Sequence, residues 1–141
     1  MSENLVHTVR AGTIEMEYAR IGSGPKPLIV IPGLSIKSVM KSAASLEGPF
    51  KIFKEKYTLY FFDRKKDAKP GYSLPEMADD QVAALKALGI EKADIYGVSQ
   101  GGMIAQYIAV RNPGVVNKLV LGSSTSKAEP RQITTIQNWA R

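Results

Sequence analysis

The stretch Gly97-Val98-Ser99-Gln100-Gly101-Gly102 decides the fold of this 141-residue chain. It follows the short, mainly apolar run 93–96 and precedes a segment with helical periodicity from Met103 to Asn112. The stretch therefore predicts a tight turn from a buried strand into a helix. Glycines two residues before and two residues after Ser99 permit such a turn, because the backbone there leaves almost no room for side chains.

Other segments predict further strands around this turn. The runs 28–31 and 57–62 are apolar without alternation, which is typical of parallel strands covered on both faces. The run 118–122 predicts another buried strand after the turn. Between them, Ser73-Leu74-Pro75-Glu76 forms a capping box that begins a helix, and Gly89 is a natural end for that helix.

The N-terminal segment has a different pattern. Residues 5–10 and 14–20 alternate between apolar and polar side chains, and this alternation predicts an antiparallel hairpin with one face in water. The order of elements is a hairpin followed by strands that alternate with helices. We therefore predict an α/β fold with a mostly parallel sheet, an antiparallel N-terminal hairpin and helices on both faces.

Composition excludes several classes of protein. The sequence contains no cysteine, so a disulfide framework and a thiol nucleophile are both impossible. No apolar run is long enough to cross a membrane, and residues 1–4 are not followed by the apolar region of a signal peptide. We expect a cytoplasmic protein without a membrane partner.

The net charge of +6 comes from basic residues spread along the chain. One dense cluster, Arg64-Lys65-Lys66 with Lys69 nearby, has no interleaved aromatic residues and no nucleic-acid motif around it. We expect no nucleic-acid partner.

Three polar or glycine-containing segments follow three of the predicted strands. Ser99 follows one strand, Pro32-Gly33-Leu34 follows another, and Asp63-Arg64 follows a third. Because ligands bind at the carboxyl ends of parallel strands, these segments should meet at one site. The alternative is a purely structural role, in which Ser99 is only a helix N-cap and Gly33 is only a turn residue.

A serine at this place is a candidate nucleophile. Its tetrahedral intermediate would need two preorganised donors for the oxyanion. The backbone N–H of Gln100 is one candidate. The backbone N–H of Leu34 is the best candidate for the other, because Gly33 lets that loop approach closely.

The chain resembles the N-terminal half of α/β-hydrolase-fold proteins. The resemblance is carried by the segments 31–34, 63–64 with 70–73, and 97–106. The last of these is similar to the nucleophile elbow of the esterase, enol-lactonase and C–C-bond hydrolase branch. The resemblance implies attack by Ser99 on a small-molecule carboxylic ester, lactone or thioester, without a metal and without an organic cofactor. Acyl transfer and cofactor-free perhydrolysis use the same elbow.

Two features depart from the family pattern. Pro32-Gly33 stands where the family usually has His-Gly, which a donor from the backbone tolerates. A longer lysine-rich segment replaces the short glycine-rich turn after Asp63. We expect Arg64 and its neighbours Lys65, Lys66 and Lys69 on the rim of the site, either steering an acidic substrate or simply solvated.

The family's general base and its orienting acid have no counterpart here. The single histidine, His7, lies in the predicted hairpin, and we expect it half-buried at the far edge of the sheet. We interpret residues 1–122 as the N-terminal part of the core, truncated after the sixth strand. Residues 123–141 would be a linker and the start of a lid. The base and acid would then belong to a C-terminal part. The alternative is an inactive fragment or pseudo-enzyme that only binds a ligand or partner.

The strand 118–122 would form an apolar edge of such a sheet. Exposed strand edges pair readily with other chains. We therefore expect either a homodimer or a complementing C-terminal half at this edge.

Overall fold

The computed structural model describes residues 5–35 and 37–139. Six strands form one sheet in the spatial order β1-β2-β4-β3-β5-β6. Their bounds are Val6–Ala11 (β1), Ile14–Ile21 (β2), Lys26–Ile31 (β3), Tyr57–Phe62 (β4), Ala93–Val98 (β5) and Val116–Gly122 (β6). The α-helices are Ala43–Phe50 (α1), Leu74–Ala87 (α2), Gln100–Arg111 (α3) and Pro130–Trp139 (α4). Short 3₁₀ turns cover Val39–Ser42, Lys51–Phe53 and Pro113–Val115.

The strand directions confirm the predicted fold class. β1 runs antiparallel to β2, and β2 runs antiparallel to β4. The strands β4, β3, β5 and β6 run parallel to one another. The carboxyl ends of β3, β4 and β5 therefore lie at the same edge of the sheet, which is where the site is built.

The central strands are covered on both faces, which explains their continuous apolar runs. Ile29 and Ile31 of β3 belong to a buried cluster that packs with α2 and α3. Val30, between them in sequence, belongs to a second cluster on the opposite face with Met40 and Ala43. Because successive side chains of a strand point to opposite faces, a strand buried on both sides needs an apolar residue at every position.

The capping box at the start of α2 is confirmed. The Ser73 hydroxyl accepts a hydrogen bond from the Glu76 N–H at 3.4 Å, and the Ser73 N–H donates to the Glu76 carboxylate at 2.8 Å. The helix ends at Ala87, and Gly89 follows with a φ of +74°. The predicted start and end of this helix are therefore both correct.

His7 lies on β1, at the opposite edge of the sheet from β6. Its ring stacks on Tyr18 of the neighbouring strand, with 5.4 Å between the ring centroids. The predicted location at the far edge is confirmed, but the expected half-burial is wrong. His7 is exposed, because this face of the edge strand is open to solvent.

The strand β6 forms the other edge. It pairs with β5 and has no neighbour on its outer side within residues 5–35 and 37–139. The predicted strand at 118–122 is present, but its predicted burial is wrong. Leu119, Val120 and Leu121 are exposed at the open edge, and Val120 retains 57% of its accessible surface. No helix in the described part of the chain is long and apolar enough to span a membrane.

This exposed edge predicts self-association. We expect Val120→Lys to lower the sedimentation coefficient of the associated protein toward that of the monomer, because a lysine on an edge strand opposes strand pairing. The matched control is Val110→Lys, at an 81%-exposed position on α3 rather than on the edge strand. Sedimentation velocity over a range of concentrations is the measurement. Wild-type protein that stays monomeric throughout would contradict the prediction.

Candidate active site

Ser99 lies in a strained turn between β5 and α3. Its φ of 53° and ψ of −119° are rarely adopted by residues other than glycine. Hydrogen bonds hold this conformation from both sides. The Ser99 N–H donates to the Gly122 carbonyl at 2.9 Å. The Ser99 carbonyl accepts from the N–H groups of Gly102 and Met103 and from the Ser124 hydroxyl at 2.7 Å. The end of β6 therefore stabilises the turn.

The glycines around Ser99 are required by close contacts. A Cβ on Gly101 would lie 1.9 Å from the carbonyl oxygen of Ile31, and a Cβ on Gly97 would lie 2.4 Å from the carbonyl oxygen of Gly101. Both contacts are with backbone, so neither can be relieved by moving a side chain. The start of α3 therefore packs directly on the end of β3.

That packing brings the loop after β3 against the serine. A Cβ on Gly33 would lie 3.2 Å from the Ser99 Cβ and 3.8 Å from its hydroxyl oxygen. Gly33 is followed by Leu34, whose side chain is exposed. Gln100 is the first residue of α3, where an α-helix leaves its N–H groups without intrahelical partners. The structure thus brings together the three residues predicted from sequence: Ser99, Leu34 and Gln100.

These three residues line one cavity of about 700 Å³. Its apolar wall includes Leu74, Met103 and residues of α4, among them Ile136 and Trp139. Because Ser99 immediately precedes α3, the positive end of the helix dipole points into this cavity. The cavity therefore combines an apolar wall with an electropositive end beside a serine hydroxyl, which suits a ligand with an apolar body and a polar carbonyl.

A second, smaller cavity of about 220 Å³ lies behind the loop after β3. Its lining includes Leu34 and Gln100, which it shares with the larger cavity, together with Asp63 and Arg64. The loop 32–35 is therefore the wall between the two cavities, and side chains from the end of β4 support it from behind.

Arg64 makes the most important of these supporting contacts. Its Nη2 donates to the carbonyl oxygen of Pro32 at 2.6 Å and to the Gln100 side-chain oxygen at 3.0 Å. Its Nε is buried and has no hydrogen-bond partner. Burial lowers the pKa of the guanidinium from its usual value, while Tyr72 and Asp63 act in the opposite direction.

Simple solvation of the basic segment is wrong for Arg64, which donates hydrogen bonds beneath the loop. Lys65 lies 3.3 Å from the carboxylate of Asp80, and Lys66 lies 2.8 Å from that of Glu15. Lys66 and Lys69 are exposed. Steering of an acidic substrate by this segment stays a prediction. Sequence reasoning placed Asp63-Arg64 at the correct end of β4 but did not identify what Arg64 contacts.

Within residues 5–35 and 37–139, no carboxylate or imidazole hydrogen-bonds the Ser99 hydroxyl. Glu129 is exposed, and His7 lies on the far edge strand. No group of three or more histidine, aspartate or glutamate side chains in this part of the chain is placed to hold a metal ion. The site therefore consists of a serine, nearby backbone donors and an apolar wall.

Sequence comparison assigns the chain to a known family. Residues 56–141 match the family described as the alpha/beta hydrolase fold, and the chain belongs to that family. Over 125 residues it is 22% identical to 3-oxoadipate enol-lactonase 2 of Acinetobacter baylyi, a match that covers 85% of this chain and 45% of that protein. Over 70 residues it is 37% identical to 2-hydroxymuconate semialdehyde hydrolase of Pseudomonas putida, covering 50% of this chain and 24% of the other.

Comparison with solved structures supports the same fold. A hydrolase from Pseudomonas aeruginosa has a TM-score of 0.77 at 20% sequence identity, and the match covers 99% of this chain and 53% of that structure. The enol-lactonase match covers most of this chain but less than half of that protein. The chain therefore spans about half the length of such relatives. The fold and the family are those predicted from the sequence.

The close contact at Gly101 yields a stability prediction. We expect Gly101→Ala to lower the free energy of unfolding by about 3 kcal/mol or more, because the added carbon meets a main-chain oxygen that cannot move without shifting β3. The matched control is Gly114→Ala, where nothing lies within 4 Å of the added Cβ. Urea unfolding of both variants is the measurement, and equal stabilities would contradict the packing described.

Proposed function

We propose that the protein is a serine hydrolase acting on a carboxylic ester, a lactone or a thioester. Ser99 is the nucleophile, and the backbone N–H groups of Leu34 and Gln100 hold the oxyanion. The observation that carries the proposal is the approach of Gly33 to within contact of Ser99 at the start of α3. Membership of the family and the names of the enol-lactonase and semialdehyde hydrolase relatives support it.

In the proposed reaction, the Ser99 oxygen attacks the carbonyl carbon and the carbonyl π electrons move onto its oxygen. A base takes the serine proton. The resulting oxyanion lies between the two backbone donors and near the positive end of α3, where its charge is most stabilised. Collapse of the intermediate expels the leaving alcohol, enol or thiol with a proton from the same base. Water then hydrolyses the acyl-serine by the reverse sequence, releasing the acid.

The base is not among the described residues, so we place it and its orienting acid in a C-terminal part like that of the longer relatives. Such a part would be covalently attached or supplied by a second polypeptide. It would also cover the exposed edge of β6, which has no neighbouring strand within the described residues.

The competing proposal is a protein that binds a ligand or partner without turnover. The same lack of a base favours it. Both proposals predict an occupied cavity, but only the first predicts covalent chemistry at Ser99. With an oxyanion site and no base, the expected catalysis by this chain alone is only about 10³- to 10⁴-fold above water.

A covalent probe separates the two proposals. We expect a fluorophosphonate to add one phosphonyl group to the protein, slowly, at Ser99, because the oxyanion site stabilises the phosphorylation transition state. Ser99→Ala should abolish the adduct, and Ser45→Ala, at an exposed position on α1, should leave its rate unchanged. Intact mass followed by peptide mapping is the measurement. An adduct at another residue, or none after prolonged exposure, would contradict the hydrolase proposal.

A further inference from the structure

We propose that Arg64 is the positioning residue of the oxyanion site: its bridge between Pro32 and Gln100 sets the distance between the two segments that donate to the oxyanion. The inference rests on the function proposed above and assigns a role that the proposed reaction does not itself require. Arg64 contacts neither Ser99 nor the reacting atoms, so it acts through the residues it holds.

The geometry of the bridge is direct. One nitrogen, Nη2, donates both to the Pro32 carbonyl at 2.6 Å and to the Gln100 side chain at 3.0 Å. The first acceptor belongs to the loop that supplies the Leu34 N–H. The second belongs to the residue that supplies the other N–H. A single guanidinium group, just after the carboxyl end of β4, therefore joins two elements near the serine. These elements are the loop after β3 and the start of α3.

The loop needs this support because of Gly33. The Pro32 carbonyl belongs to the peptide plane just before Gly33, and the Leu34 N–H belongs to the plane just after it. Only the two dihedral angles of Gly33 separate them, and glycine is the residue whose angles are least restricted. The small residue that lets the loop approach Ser99 thus also lets it move, and fixing the Pro32 carbonyl removes much of that freedom.

The residue before Arg64 holds the other end of the same loop. The Asp63 carboxylate accepts a hydrogen bond from the Val39 N–H at 3.1 Å and another from the Ser38 hydroxyl. Two consecutive residues of one strand end therefore fasten the segment at residue 32 and again at residues 38 and 39. The end of β4 therefore holds both of these points.

Burial of the Arg64 guanidinium lowers the stability of the fold. A residue kept only for stability would not be expected to carry this cost, so the cost favours a positioning role. The Arg64 Nε is buried without a partner, and burying a cation with an unmet donor is unfavourable. An apolar side chain of similar volume at this position would remove the desolvation penalty of the buried cation. Pro32 and Gln100 line the adjoining 220 Å³ cavity, whose volume is large enough to hold water beside the freed acceptors. Arg64→Met should therefore fold normally while losing the bridge.

The test combines a measurement on the free protein with one on the chemistry. Backbone ¹⁵N relaxation reports the mobility of Gly33 and Leu34 without any ligand. The rate of fluorophosphonate addition at Ser99 reports the quality of the oxyanion site. The variants are Arg64→Met, Arg64→Lys and Gln100→Met, the last of which removes one acceptor and keeps its backbone N–H. The matched control is Lys69→Met, which removes an exposed charge from the same basic segment.

We expect Arg64→Met to keep its melting temperature, to lower the order parameters of Gly33 and Leu34 from about 0.85 toward 0.6, and to slow addition at Ser99 by about tenfold or more. Arg64→Lys and Gln100→Met should each give intermediate rates, because each leaves part of the bridge. Lys69→Met should match wild type. If Arg64→Met does not fold, the other two variants carry the comparison.

Two results would overturn the inference: a loop that stays rigid in the Arg64 variants, or a loop that loosens while Ser99 reacts at the wild-type rate. The second result would reduce Arg64 to a structural residue. Failure of the proposed function gives a different result, because the wild-type protein would then form no adduct at Ser99. The positioning role of Arg64 would in that case also be wrong.

Discussion

The structure depends on a backbone contact between Gly101 and Ile31 that leaves no room for a side chain on Gly101. The α-carbon of Gly101 lies so close to the Ile31 carbonyl oxygen that a side chain there would overlap it. This contact requires β5 to lie directly beside β3, in parallel and with Ile31 opposite Gly97. It also forces the chain to reverse sharply at Ser99 and brings α3 onto the end of β3. The sheet order, the strained serine and the adjoining loop all follow from it.

The strain at Ser99 is of the size that one residue in a disfavoured conformation costs, about 1–3 kcal/mol. Hydrogen bonds from several directions compensate for it. The N–H of Ser99 is bound by the end of β6, and its carbonyl is bound by the first turn of α3 and by Ser124. A strand that contributes no side chain to the proposed chemistry therefore helps to hold the nucleophile. The same strand exposes Val120 and its neighbours at the edge of the sheet.

The parts of the structure that depend on local sequence were predictable. The turn at Ser99, the capping box at Ser73 and the buried strands β3, β4 and β5 all have signals within a few residues, and each was correctly placed. The burial predicted for the strand at 118–122 was wrong, because its apolar run does not show that the strand lies at an open edge. The contacts of Arg64 were missed because its acceptors come from residues 32 and 100, far away in sequence. The strand ends were expected to converge, so the segments after β3, β4 and β5 were expected to meet. That expectation did not identify which side chain points into the protein. The exposure of His7 was missed because a pattern of alternation does not show which face of an edge strand is covered.

We propose that the nucleophile and the oxyanion donors lie in this half of a hydrolase fold, with Arg64 behind the donors. Leu34 and Gln100 would then both donate to the charge that develops beside Ser99. A crystal structure of the Ser99 phosphonate adduct tests this most directly. We expect the phosphoryl oxygen at about 2.7–3.1 Å from both backbone nitrogens. A phosphoryl oxygen turned to solvent, or bound by neither nitrogen, would contradict it.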